Sequence, residues 1–180
     1  MRMPRLRAAL LVLAIAASPL PGTVHAGSKQ QTLTVAAAIT PGCRLGHGLT
    51  DVSTYGDIDL GSVADVDDVI FATSSVGAGT IVMNCTPGTD YRISINNGQW
   101  PAGPSGHRRM KNMTSNDNSF VTYILYQNSN HTQIWEEGSL AKTGLAKGGA
   151  EEFPIYVAVL PEPGAKPGIY TDTVVVTVSY

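Results

Sequence analysis

The chain has two cysteines, Cys43 and Cys85, and their chemistry is the easiest to specify. In an exported chain an even pair reads as a disulfide, and two cysteines allow only one intramolecular pairing. The bridge would close a loop of about 43 residues, for which chain entropy gives roughly 4 kcal/mol. No C-x-x-C spacing supports a metal or redox pair, and the three histidines beyond residue 26, His47, His107 and His131, all lie in polar stretches. No G-x-S-x-G, H-E-x-x-H or phosphate-binding glycine loop occurs. The acids of Asp65-Val-Asp-Asp68 lack the spacing of an EF-hand loop and read as solvated turn residues. The expectation is therefore a protein that is not an enzyme, with no catalytic residue, no metal and no cofactor. Trp100 and Trp135 could line a sugar-binding surface, but a tryptophan in a β-sandwich is more commonly core.

Whether the thiols meet an oxidant depends on where the chain goes. Arg2, Arg5 and Arg7 form a basic region, Ala8 to Ala17 is apolar, and Val24-His25-Ala26 resembles a small-x-small cleavage site. This is the pattern of a secretory signal peptide over residues 1–26, cleaved after Ala26. Its apolar run is too short to span a bilayer as a stable helix. Removing 26 of the 180 residues leaves 154, enough for one soluble domain with a real core. Of twelve basic residues three arginines leave with the leader, so nine face fourteen acids, a net charge of −5. That balance argues against nucleic acid or an anionic membrane as partner. The short cluster Arg108-Arg109-Met110-Lys111 reads as a solvated loop.

The elements that must bring the cysteines together read almost wholly as β. Thr32 to Ile39 alternates, with Leu33, Val35, Ala37 and Ile39 on one side. Thr80 to Cys85, Tyr91 to Ile95, Phe120 to Tyr126, Thr132 to Trp135 and Phe153 to Leu160 are further strands. Pro41-Gly42, Pro87-Gly88 and Asn97-Gly98 are turns. Ser139 to Gly149 reads as a flexible loop. Inward faces should include Ile81, Met83, Tyr91, Ile93, Ile95, Val157 and Val159. Short strands separated by turn signals, with no substantial helix after residue 27, predict a β-sandwich of two sheets.

The final ten residues, Thr171 to Tyr180, read as one long strand. Val174, Val176, Val178 and Tyr180 share one face; Thr173, Val175, Thr177 and Ser179 share the other. No later strand of this sequence can pair with it, and from Thr173 onward no charge or proline blunts its edge. Either an earlier part of the chain covers that edge or another chain does.

Several blocks together resemble a known family. They are Gly79-Thr-Ile-Val-Met-Asn-Cys-Thr-Pro-Gly88 followed by Tyr91-Arg-Ile-Ser-Ile-Asn-Asn-Gly98, Tyr123-Ile-Leu-Tyr126 with Trp135 nine residues later, and Pro167 to Tyr180. With the cysteine spacing, they are similar to the spore coat protein U domain family, which includes pilin subunits of archaic chaperone–usher fibres. Tyr55-Gly56 and Leu60-Gly61 are both candidates for that family's aromatic-Gly pattern. The resemblance implies an all-β, incomplete immunoglobulin-like β-sandwich over residues 41–180, completed by a donor strand. Residues 27–40 would be the donor extension, with Leu33, Val35, Ala37 and Ile39 as donor side chains. Val174, Val176, Val178 and Tyr180 would lie on the terminal strand beside the groove. Implied partners are other copies or related pilin subunits, a periplasmic chaperone and an outer-membrane usher. The implied product is a cell-surface fibre supporting adhesion and biofilm formation. A secreted coat or matrix protein, or a minor adhesin subunit that binds a ligand, is the alternative. Burying Leu33, Val35 and Ile39 would contribute on the order of 5–9 kcal/mol as an upper bound.

Overall fold

A computed structural model of the protein describes residues 27–115 and 118–180, and the expected signal peptide lies outside them. The chain divides into two units, residues 1–37 and 38–180, taken separately below. In the first, residues 27–37 carry no regular secondary structure and every one is exposed. The run Thr32–Ile39 has a strand's alternation, yet no strand precedes Cys43 among the described residues. Alternation alone does not make a strand, because its backbone groups need a ladder partner.

The second unit contains eleven strands among the described residues. In chain order they are β1 (Cys43–Leu45), β2 (Ile70–Thr73), β3 (Ile81–Cys85), β4 (Asp90–Ile95), β5 (His107–Asn112) and β6 (Phe120–Tyr126). They continue with β7 (Lys142–Leu145), β8 (Ala150–Phe153), β9 (Tyr156–Val159), β10 (Tyr170–Thr171) and β11 (Val176–Ser179). A single 3-10 turn, Gly138–Leu140, is the helical element among these residues. All the pairings are antiparallel.

The expected all-β sandwich is present, but hydrogen bonding divides it into three sheets where two were expected. Their orders are β1-β3-β8, β10-β5-β6-β9-β2 and β11-β4-β7. One core lies among them. Ile81 and Met83 of β3, Ile93 and Ile95 of β4, Val121, Tyr123 and Leu125 of β6, and Val157 and Val159 of β9 are all buried in it. Each fully buried aliphatic side chain contributes about 1.5–3 kcal/mol. All seven residues expected to face inward do so, Tyr91 at the partly covered margin. Trp135 is fully buried in the same cluster, so it belongs to the core and not to a sugar-binding surface.

Three local readings need correction. The basic cluster is not a solvated loop: it lies in β5, and Arg108 is 0% exposed. The expected flexible loop 139–149 contains β7, which pairs with β4. Gly144 serves that pairing by having no side chain, since a Cβ there would sit 2.5 Å from the Tyr91 hydroxyl. The expected strand Thr132–Trp135 is reduced to one bridge, Tyr126 to Ile134. Asn128 Oδ1 accepts the backbone N–H groups of Thr132 (3.1 Å) and Gln133 (3.1 Å), turning the chain where a ladder would otherwise run.

Cys43 and Cys85 face each other directly across the β1–β3 ladder and form the disulfide. The three-residue β1 is thereby tied to the most buried strand of its sheet. Replacing both cysteines with serine should lower stability by about 2–4 kcal/mol. Urea unfolding of the two proteins side by side checks this, and coincident midpoints would contradict it.

Candidate functional site

The long terminal strand expected from the sequence is interrupted. Tyr170 and Thr171 pair with β5 in the five-stranded sheet, whereas Val176–Ser179 pair with β4 in another. The chain changes sheets between them, and two side chains guide the change. Asp172 Oδ1 accepts the backbone N–H groups of Gln99 (2.9 Å) and Thr173 (2.8 Å), and Asp172 Oδ2 accepts the Tyr123 hydroxyl at 2.7 Å. Asn96 donates its N–H to the Val175 carbonyl (3.0 Å) and accepts the Val175 N–H on Oδ1 (2.8 Å). A side-chain amide thus extends the β4–β11 ladder by one step. Gly98, with φ +70°, permits this approach, because a Cβ would lie 2.0 Å from Asp172 Oδ2.

Beyond this switch, β11 pairs with β4 through Val176–Ile95, Thr177–Ser94, Val178–Ile93 and Ser179–Arg92. Its other edge has no strand partner among the described residues. Val174, Val176 and Val178 pack against the core but are only half-buried, although Ile93 and Ile95 beside them are fully buried. Thr177 and Ser179 face solvent. Tyr180, expected on the valine face, is 64% exposed. The order β11-β4-β7 passes along the chain through residues 146–149 into β8-β3-β1. β7 and β8 belong to separate sheets. At the β1 end of this six-strand series Leu45 donates its N–H to Asp51 Oδ1 (2.7 Å) and accepts the Val52 N–H (3.1 Å). Among the described residues, the terminal edge left without such partners is therefore that of β11. At the β1 end, Cys43 and Leu45 are again half-buried against the same core. Core covering is most complete on β3 and at Ile93 and Ile95 of β4, and only partial on β1, β7 and β11.

Behind β4 lies a buried cation that the sequence reading missed. Arg108 donates from Nε to Asn96 O (2.8 Å), from Nη1 to Gly106 O (3.1 Å), and from Nη2 to Ile95 O (3.1 Å) and Trp135 O (2.9 Å). Burial pulls its pKa below the usual guanidinium value, while Tyr123, Glu136, Asp172 and Glu137 oppose that shift. The Trp135 indole N–H in turn donates to Ile93 O at 2.9 Å, and its backbone N–H donates to Leu125 O at 2.8 Å. Together these groups fix the end of β4, the strand on which β11 lies. The period of β5 was the available signal: Arg108 shares a face with Met110, which packs on the core.

The expected donor residues Leu33, Val35 and Ile39 are 85%, 88% and 87% exposed, and Ala37 is exposed too. Among the described residues no three His, Cys, Asp or Glu side chains gather as a metal site.

Residues 29–177 match the family model described as the Spore Coat Protein U domain. None of the curated proteins matches the chain. Solved structures that it resembles include the CsuC–CsuE chaperone–tip adhesion subunit pre-assembly complex from archaic chaperone–usher Csu pili of Acinetobacter baumannii. Identity there is 22% and the TM-score 0.49, over 79% of this chain and 40% of that one.

Two outcomes test this arrangement. Replacing Arg108 with Met leaves four carbonyls without their donor and should destabilise the protein by about 3–5 kcal/mol in denaturant unfolding. Burial first, and then the hydrogen bond to Asp172, raise the Tyr123 phenol above its ordinary pKa of 10.0. A raised folded pKa means that this stability is fully present below pH 10 and is lost as pH rises above it. Thermal unfolding between neutral pH and about pH 11 should therefore show an alkaline loss that is smaller in Tyr123→Phe. Equal losses in both proteins would remove Tyr123 as the cause.

Proposed function

The chain belongs to the Spore Coat Protein U domain family, and from that premise we propose that it is a structural subunit of a chaperone–usher-type fibre, assembled by donor-strand exchange. The observation that carries the reading is the outer edge of β11, which has no strand partner among the described residues and lies over a core half-covered by Val174, Val176 and Val178. A strand added at the β11 edge would meet free backbone donors and acceptors and cover apolar surface at the same time. Leu33, Val35, Ala37 and Ile39 supply a matching strand: alternating, uncharged and exposed. In this reading they enter the groove of a neighbouring copy or related subunit. Donor and acceptor are different patches, so the contact is heterologous and repeats into a filament.

A groove of this kind needs cover before assembly. A periplasmic chaperone would supply it and an outer-membrane usher would organise the exchange, delivering the subunit through the periplasm to a surface fibre. Adhesion and biofilm formation follow as the uses of such a fibre. A role as a ligand-binding adhesin gains little support, because Trp135 is core and Trp100 is half-buried beneath Lys111.

Two substitutions separate donor from acceptor. Val35→Asp brings a carboxylate into an apolar groove, costing several kcal/mol or forcing its protonation. It should abolish polymers while the subunit still folds in complex with its chaperone. Val176→Asp should prevent folding of the subunit itself, because that side chain lies over its own core. Electron microscopy of the fibres and recovery of the chaperone complex read both effects. Fibres at normal yield from Val35→Asp would sink the donor assignment.

A further inference from the structure

The five-stranded sheet is electrically polarised from one side to the other. Near one edge, β5 turns Arg108 and Met110 inward, so Arg109 and Lys111 project from the opposite face. Aromatic rings hold both cations there. The Arg109 guanidinium lies 4.5 Å from the Phe120 ring centroid, and the Lys111 ammonium lies 4.9 Å from that of Trp100. Neither cation is ion-paired with a carboxylate among the described residues.

The far edge is β2, three strand spacings away, or about 14 Å. The segment leading into it carries Asp67 and Asp68, both exposed. Glu162 joins them, because its N–H donates to Val66 O at 2.8 Å. Ile70 stands opposite Val159, Val159 opposite Tyr123, and Tyr123 opposite Arg108. The acids therefore enter β2 at the same end of the strands at which Lys111 leaves β5. Residues 48–91 contain no lysine, arginine or histidine, so no cation from that stretch neutralises Asp67 and Asp68, while Lys166 follows Glu162 in the same turn.

We propose that these two patches form a second contact between copies of the chain, in which Arg109 and Lys111 of one copy dock on Asp67, Asp68 and Glu162 of the next. The two patches are complementary and belong to one molecule, which singles out a second copy as the occupant. They are also different patches, so the contact is heterologous and, like strand exchange, repeats without closing. It uses side chains and not the strand edge, since Trp100 and Pro101 already pair along β5. Its strength should fall with salt, because exposed charges are screened beyond about 8 Å at physiological ionic strength.

The contact is independent of strand exchange, and the experiment keeps the two apart. Full-length mature proteins all carry Val35→Asp, which removes strand exchange if that reading is right and changes nothing if it is wrong, and each is studied as its chaperone complex if it does not fold alone. Sedimentation velocity is then run at about 50 mM and about 500 mM NaCl, which spans strong to weak screening. The background protein should self-associate at low salt and dissociate at high salt. Arg109→Glu with Lys111→Glu, or Asp67→Lys with Asp68→Lys, should weaken association about tenfold or more. An equimolar mixture of those two charge-reversed proteins should associate again. A background protein that stays monomeric at low salt, or a mixture that stays monomeric, overturns the proposal. So does unchanged self-association of the Arg109→Glu, Lys111→Glu protein together with lost retention on heparin, which would assign the face to an anionic polysaccharide.

Discussion

Among the described residues, backbone pairing at β11 is satisfied on one side and open on the other, and much of the architecture around it bears on that imbalance. On its paired side β11 has β4, whose Ile93 and Ile95 are fully buried. On its open side the three valines above the core are left half-covered. A strand in that state has two unmet demands at once, hydrogen bonds at its edge and cover for its face. One added strand with apolar residues at every second position meets both. The exposed run from Leu33 to Ile39 has that composition, which is why the proposed assembly requires no chemistry beyond strand pairing.

An open edge is useful only if the strand beside it does not give way. The polar groups around Arg108 serve this end. Four backbone carbonyls would otherwise be buried or strained at the end of β4 and the turns beside it, and one guanidinium satisfies all of them. Trp135 ties the same strand to β6. Unpaired buried carbonyls are costly, so this arrangement has few alternatives of similar energy. The disulfide acts similarly at the other end of the six-strand series, holding the very short β1 against β3. Both ends that lack a strand neighbour are therefore braced from behind.

The change of sheets between Thr171 and Val176 links this brace to the polarised five-stranded sheet. Asp172 caps the N–H groups of Gln99 and Thr173 and holds Tyr123, so the end of the chain leaves β5 and reaches β4 along one path. The same β5 carries Arg108 inward to the brace and Arg109 and Lys111 outward to the proposed electrostatic contact. One strand thus supports β4 from behind and presents a surface in front.

What the sequence determined by itself was whatever depends on local period and composition. Alternation identified β3, β4, β6 and the inward face of all seven named core residues, and an isolated cysteine pair left one bridge to make. The valines of the terminal segment were also legible as a core-facing set. Tertiary structure decided what depends on partners distant in sequence. Arg108 looks like a surface residue until carbonyls from residues 95, 96, 106 and 135 converge on it. Thr171 to Tyr180 alternates without interruption, yet Asp172 and Asn96 divide it between two sheets. Thr32 to Ile39 has the same alternation as a strand and forms none, because period determines which face would be buried while only a ladder partner determines that a strand exists.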